Sequence, residues 1–300
     1  MNGILLVDKP AGPTSFDVVR RVRSLLRVKK AGHTGTLDPM ATGVLPVCIG
    51  PATKIAGLIS EGRKSYDALI RLGVETDSQD AAGKVIAEAP VPDLSAKLLE
   101  ALLARFRGSY LQVPPMFSAV KVGGKRLHEL AREGAEVHRE ARPVEVYQLT
   151  LRDFSASEIS VSLTCSKGFF VRSLAHDIGK ELACGAHLKA LRRTRSGPFA
   201  LEQALGLAQL AAIATSEGGA EAISKRLISA NQALAHLPAI RVSEADAHRV
   251  VHGVPIEAPP GTGMVRVLGP DGALLAIAEL GKGARLSYRR VLVELDDNRH

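Results

Sequence analysis

The chain has 300 residues, 46% of them apolar, with 39 Lys plus Arg against 31 Asp plus Glu and a formal net charge of +8. That length allows one large domain or two unequal ones around a sizeable core, and the cationic excess points to an anionic partner, nucleic acid first. The lack of Trp and an aromatic content of 4% argue against a binder built on many base-stacking platforms, and no apolar run approaches the roughly 20 residues of a membrane span. Cys48, Cys165 and Cys184 are widely spaced, with neither zinc spacing nor a disulfide framework, which fits a reducing cytoplasm.

Met1 to Asp8 has no basic leader and reads as a strand rather than a signal peptide, with Ile4 to Val7 as its apolar run. Lys9-Pro10-Ala11-Gly12-Pro13 breaks it. Thr14 or Ser15 then caps a helix, with Asp17 completing a capping box, and Val18, Val19, Val22, Leu25 and Leu26 form its apolar stripe. Arg20, Arg21, Arg23, Arg27, Lys29 and Lys30 follow with no acid among them, which favours an anion-binding face over an ordinary solvated one.

The segment from Gly32 to Gly43, GHTGTLDPMATG, comes next. Pro39 disfavours the helical region for Asp38 and so places it, extended, in a loop, and the glycines permit tight turns and close approach of another molecule. Two readings stand side by side: an Asp-Pro turn between strands, which is common, and a single acid displayed for covalent or acid–base chemistry on something bulky.

Val44 to Ile49 is a short strand, and Ser65 to Val74 alternates, with Tyr66, Ala68, Ile70 and Leu72 on one face. Thr76 to Gly83 is a polar turn; its acids lack the ligand series of a calcium loop. Leu94 to Phe106 is predicted helical. Lys121 to Arg142, mixing cations, glycines and glutamates, reads as an exposed insertion. Strands return at Val144 to Leu151 and Ile159 to Cys165, and Gly168 to Arg172 leads into a helix reaching about Leu182. Leu188 to Arg195 adds Arg192, Arg193 and Arg195. Residues 201–237 are Ala- and Leu-rich and predicted helical apart from a break near Gly218-Gly219, with a stop at Pro238. Beyond it come a short helix from Ser243 to His252, a hairpin about Gly269-Pro270-Asp271-Gly272 and a strand at Val291 to Leu295. This tail of about sixty residues is a small β-rich module near the lower size limit for an independent core.

Several motifs in register resemble the TruB family of tRNA pseudouridine synthases. They are Lys9-Pro10, His33 to Gly43, Lys64-Ser65-Tyr66, Leu72-Gly73 with Thr76-Asp77, Pro115 to Ala119, Cys165 to Gly168 with Arg172, and Gly185 to Leu188 with Leu191-Arg192-Arg193. The resemblance spans residues 3–200, and the tail looks like the family's PUA-type module. It implies a mixed α+β fold, a largely antiparallel sheet flanked by helices, with a catalytic domain over 1–238, an RNA-gripping insertion at about 121–142 and a PUA-like domain over 239–300.

The resemblance further implies isomerisation of uridine 55 in the tRNA T loop, with no cofactor and no metal, by a cytoplasmic monomer with no membrane association. Asp38 matches the family's catalytic aspartate, either a nucleophile or a group assisting glycosidic cleavage; the sequence does not choose. Tyr66 matches the tyrosine that packs on the target base and can assist proton removal from carbon 5. Arg172 matches the arginine paired with the aspartate. His33 resembles the histidine that fills the space left by the extruded nucleotide. Lys9, Gly32, Thr34, Phe170 and Leu191 complete the expected substrate-binding set, Lys9 near the active-site floor in a structural or phosphate-facing role. Phe170 stands where the family often has tyrosine, which keeps an apolar wall and removes a hydroxyl. Cationic groups at 20–30, 121–142 and 192–195 are expected to hold tRNA phosphates.

Two other classes fit less of the sequence. A tRNA-folding chaperone suits the charge and the tail but has no need of Asp38, Tyr66 and Arg172 together. A glycoside hydrolase requires a second acid near Asp38, for which Asp67 and Asp77 are candidates only by nearness in sequence.

Overall fold

Strands form where the apolar pattern is either continuous or alternating. Gly3–Lys9 and Thr42–Ile49 are buried along nearly their whole lengths and so lie in the middle of a layer, whereas Glu158–Cys165 alternates buried with half-buried positions. The computed structural model describes residues 1–135, 137–257, 259–281 and 285–292. Within them a ten-stranded sheet runs in the order Leu205–Gly206, Gly3–Lys9, Thr42–Ile49, Ala186–Ser196, Lys64–Leu72, Glu158–Cys165, Arg142–Phe154, Gly108–Gln112. Ala31–His33 and Phe199–Ala200 pair alongside it. The pairing is antiparallel except where Gly3–Lys9 meets Leu205–Gly206 and where Thr42–Ile49 meets Ala186–Ser196.

The helix Ser15–Leu26 starts as its sequence requires: the Thr14 side chain accepts from the Asp17 N–H at 3.1 Å, and the Asp17 carboxylate accepts from the Thr14 N–H at 3.0 Å. Its stripe, led by Val18, Val19 and Val22, packs with Leu5, Val7, Leu45 and Val47. Further along the same face, Leu99, Leu102 and Leu103 of the helix Ala96–Ala104 share a core with Leu174, Ala175 and Ile178 of the helix Val171–Glu181. That second helix delivers Arg172 to the sheet centre.

Residues 201–237 are not the near-continuous helix expected from their Ala and Leu content. They form short helices, Leu207–Thr215, Gly219–Ser224 and Ala230–Ala233, separated by extended pieces. Leu205–Gly206 pairs with Gly3–Lys9, and Ile228 exchanges backbone bonds with Ile4 at 2.8 and 2.9 Å. Covering the free edge of Gly3–Lys9 prevails over helix propensity here.

The insertion is a hairpin, Lys121–Val122 with Lys125–Arg126, followed by the helix Leu127–Arg132; Lys121 and Lys125 are exposed, and Leu127 is buried beneath them. The β-rich tail forms a four-stranded sheet of Ala239–Arg241, Gly263–Leu268, Leu274–Leu280 and Ser287–Val291. Its last strand lies just ahead of the Val291 to Leu295 run expected, of which residues 293–295 fall outside the described residues. Ile277 and Leu292 of this part join Ile4, Leu6 and Val44 in one apolar cluster, so the two sheets share a core.

Candidate active site

Asp38 opens a tight turn: the Ala41 N–H donates to the Asp38 carbonyl at 3.0 Å, with Pro39 inside. The ordinary reading of Asp-Pro is thus literally correct, and the turn also displays the carboxylate. Two buried cations grip it from within the fold. Lys9 is 0% exposed, and its Nζ donates to the carbonyls of Pro10, Pro39 and Ala41 at 3.0, 3.2 and 2.7 Å. Arg193 is also 0% exposed and donates to the carbonyls of Val44, Thr36 and Gly35 at 2.8, 3.4 and 3.1 Å. Gly43, at φ +106°, lies so close to the Arg193 backbone that a Cβ would sit 2.2 Å from its carbonyl oxygen. On the helix side, Ser15 is buried, donates to the Leu37 carbonyl at 3.0 Å and accepts from the Leu37 N–H at 2.8 Å.

The turn faces a cavity of about 590 Å³ whose lining includes Asp38, Tyr66, Phe117, Phe170, Arg172 and Leu191. The size suits a small planar ligand, and the walls are largely apolar. Arg172, 4% exposed, uses its whole guanidinium. Nε lies 2.9 Å from Asp38 Oδ2, Nη1 donates to the Ser78 carbonyl at 3.1 Å, and Nη2 donates to the Phe117 carbonyl at 2.9 Å. Asp80 Oδ2 lies 3.6 Å from the same Nη1. Burial raises the Asp38 pKa above its ordinary value; Arg172 opposes this, and Asp80 reinforces it. Burial also pushes the Tyr66 phenol up to about 12, with the Arg193 charge opposing, so the hydroxyl is neutral near pH 7. Lys9 is brought down to about 8 by burial, against the pull of Asp38 and with the push of Arg193.

Of the expected site residues, Asp38, Tyr66, Phe170, Arg172 and Leu191 meet at this cavity. Lys9 and Thr34 do not face solvent, at 0% and 2% exposure; for Lys9 this is the structural of its two expected roles, and for Thr34 a place inside the fold stands where a substrate contact was expected. Gly32 and His33 are half-buried on the strand Ala31–His33, outside the cavity lining. The His33 Nδ1 is buried and has no hydrogen-bond partner among the described residues. Arg193 is a correction: a phosphate contact was expected, and it is a buried clamp. Arg192 pairs with Asp8 at 2.8 Å and Arg195 is exposed. The second acid is neither Asp67, which is exposed, nor Asp77, which accepts from the Lys84 N–H at 2.8 Å. It is Asp80, 7% exposed, within the turn that reads as merely polar. Among the described residues no group of three or more His, Cys, Asp or Glu side chains is arranged to hold a metal.

A carboxylate–guanidinium pair thus stands at the wall of a largely apolar cavity bordered by the strand Lys64–Leu72 and the helix Val171–Glu181, an arrangement that suits a pseudouridylate synthase, and comparison with known proteins places the chain in that class. The model of the TruB family pseudouridylate synthase N-terminal domain matches residues 23–171; those of the tRNA pseudouridylate synthase B C-terminal domain and of the tRNA pseudouridine synthase II C-terminal region match 172–235 and 237–292. The chain belongs to the TruB family of pseudouridylate synthases. It is 44% identical over 294 residues to the tRNA pseudouridine synthase B of Stutzerimonas stutzeri (strain A1501), covering 97% of this chain and 96% of that one. Against the protein of the same name from Francisella tularensis subsp. novicida (strain U112) it is 43% identical, covering 96% and 94%. Among solved structures, a chain of the archaeal box H/ACA sRNP Nop10–Cbf5 complex is similar at a TM-score of 0.75 and 26% identity, covering 98% of this chain and 87% of that one. A chain of an H/ACA RNP bound to a substrate RNA containing 2'-deoxyuridine is similar at 0.74 and 25%, covering 98% and 86%.

Proposed function

We propose that this protein isomerises uridine 55 in the T loop of tRNA to pseudouridine, with Asp38 as the reacting carboxylate. The observation that carries the reading is the Asp38–Arg172 pair, at 2.9 Å, on the wall of a largely apolar cavity large enough for a base; a uridine stacked in a folded loop would reach it by extrusion.

The chemistry balances without a co-reactant. The bond from uracil N1 to the ribose C1' breaks, the ring turns, carbon 5 bonds to C1', and the proton lost from carbon 5 is matched by one gained at N1. Asp38 acts at the sugar or the ring, as a nucleophile or as the charge that steadies cleavage. Arg172 orients it and offsets its burial. Tyr66, Phe170 and Leu191 hold the uracil between apolar walls, and Tyr66 enters the reaction as a neutral hydroxyl rather than a phenolate. His33, beside the cavity, fills the gap left in the loop by the extruded nucleotide. Within this reading residues 1–238 are the catalytic domain and 239–300 a PUA-like domain, and the protein works as a cytoplasmic monomer. No described helix is long and apolar enough to cross a membrane.

The test is a tRNA transcript incubated with purified protein, with pseudouridine mapped base by base. Wild type should convert the T-loop uridine. Asp38→Asn should bind the tRNA with roughly unchanged affinity and form no pseudouridine; turnover by that variant at the wild-type rate would refute the assignment of Asp38.

A further inference from the structure

The helix Ser15–Leu26 turns one large aromatic side chain outward. Phe16 is 62% exposed, where Tyr147 and Phe154 reach 38% and 36%. Its neighbours in sequence tie it to the candidate active site. Ser15 is fastened to the Leu37 backbone by the reciprocal bonds at 3.0 and 2.8 Å, one residue before Asp38, and Thr14 lines the cavity. The exposed ring therefore sits one residue from a side chain fastened to the catalytic turn and two from one that lines the cavity. The Arg20 guanidinium lies 5.8 Å from the Phe16 centroid and is also held by Asp17. Further along the same helix and its exit, Arg21, Arg23 and Arg27 are exposed. An apolar face beside a row of cations is the arrangement that takes an unpaired nucleotide, with the base on the ring and phosphates on the guanidiniums.

We propose that Phe16, backed by Arg20, is a stacking step for an unpaired base of the substrate RNA flanking the extruded uridine. The proposal rests on the isomerase reading for the identity of the RNA. Extruding a nucleotide uncovers faces on both of its neighbours; with His33 in the gap against one, the exposed Phe16 ring is available to cover the other. Arg20 adds a cation to the back of that stack and a phosphate contact along the helix.

Equilibrium binding of the tRNA transcript to the full-length protein, read by fluorescence anisotropy across a salt series, tests this without relying on turnover. Phe16→Ala should weaken binding about tenfold at every salt concentration, leaving the slope of log K against log salt unchanged, because stacking releases no counterions. Phe16→Tyr should restore most of the affinity. Arg20→Ala should flatten the slope by about one contact. An RNA abasic at the position flanking the target should lose affinity for wild type and show no further loss with Phe16→Ala. Unchanged affinity in Phe16→Ala, or a loss equally large on the abasic RNA, would overturn the stacking step. Wild type that binds the RNA and forms no pseudouridine would instead overturn the isomerase reading while the stacking measurement still stands.

Discussion

Asp38 sits where its charge is expensive and its placement fixed, and both facts are measurable. Its pKa is raised by burial, with Arg172 opposing. If the ionised form is the reactive one, acidification should inactivate the enzyme at a pH above the ordinary aspartate value of about 3.9. The acidic limb of log kcat/KM against pH shows this, and a limb at or below that value would contradict it. The sign carries over to stability. A carboxyl with a raised folded-state pKa binds its proton more tightly when folded, so its ionisation opposes folding as pH rises through that pKa. Asp38→Asn should therefore melt no lower than wild type near neutral pH, since Asn keeps an acceptor for the Arg172 Nε. Asp38, Tyr66 and Arg172 were legible because motif and spacing mark them. Asp80 was not, because its approach to Arg172 depends on the turn after Lys64–Leu72 folding back against a helix nearly a hundred residues later. Arg193 was misread, and the choice between the two roles open for Lys9 could not be made, for a related reason: sequence displays a charge but not whether it is buried.

At the scale of elements, the catalytic turn depends on cations that never reach solvent. Lys9 satisfies three carbonyls of the turn and its approach. Lys9→Met fills a similar volume, leaves those acceptors without their donor and should cost about 3 kcal/mol, read as a shift in the urea midpoint. Activity per folded molecule should fall as well; an unchanged midpoint would mean that the turn is held by its backbone alone. The insertion gives a different expectation. Its exposed Lys121 and Lys125 lie on a two-stranded hairpin, which has little stability of its own. If it grips RNA, limited proteolysis within 121–142 should slow when tRNA is added, and equal rates would count against that role. The alternating strands and the capped first helix could be read from periodicity and cap chemistry. Residues 201–237 could not, because Ala and Leu suit a helix locally, and the need to cover a sheet edge near residue 4 is invisible at that range.

For the molecule as a whole, the shared cluster of Ile277 and Leu292 with Ile4, Leu6 and Val44 makes the small C-terminal sheet part of the catalytic body's core. The Lys54 Nζ also donates to the Val291 carbonyl at 3.1 Å, and the Arg266 Nη1 to the Asn231 Oδ1 at 2.6 Å. Removing residues 237–292 should lower the melting temperature of what remains by several degrees, since two large apolar side chains leave a buried layer. A truncated protein melting with the full chain would show that the two parts are energetically independent.

The fastenings around Asp38 all come from the protein itself, from Lys9, Ser15, Arg172 and Arg193. If the same contacts persist with RNA bound, the protein alone assembles the reactive geometry. Choice among uridines falls to the stage before reaction, in how cheaply each can leave its helix and reach the turn. A short, unstructured oligonucleotide that seats its base should then react as a folded tRNA does once bound, which single-turnover rates on the two RNAs would check.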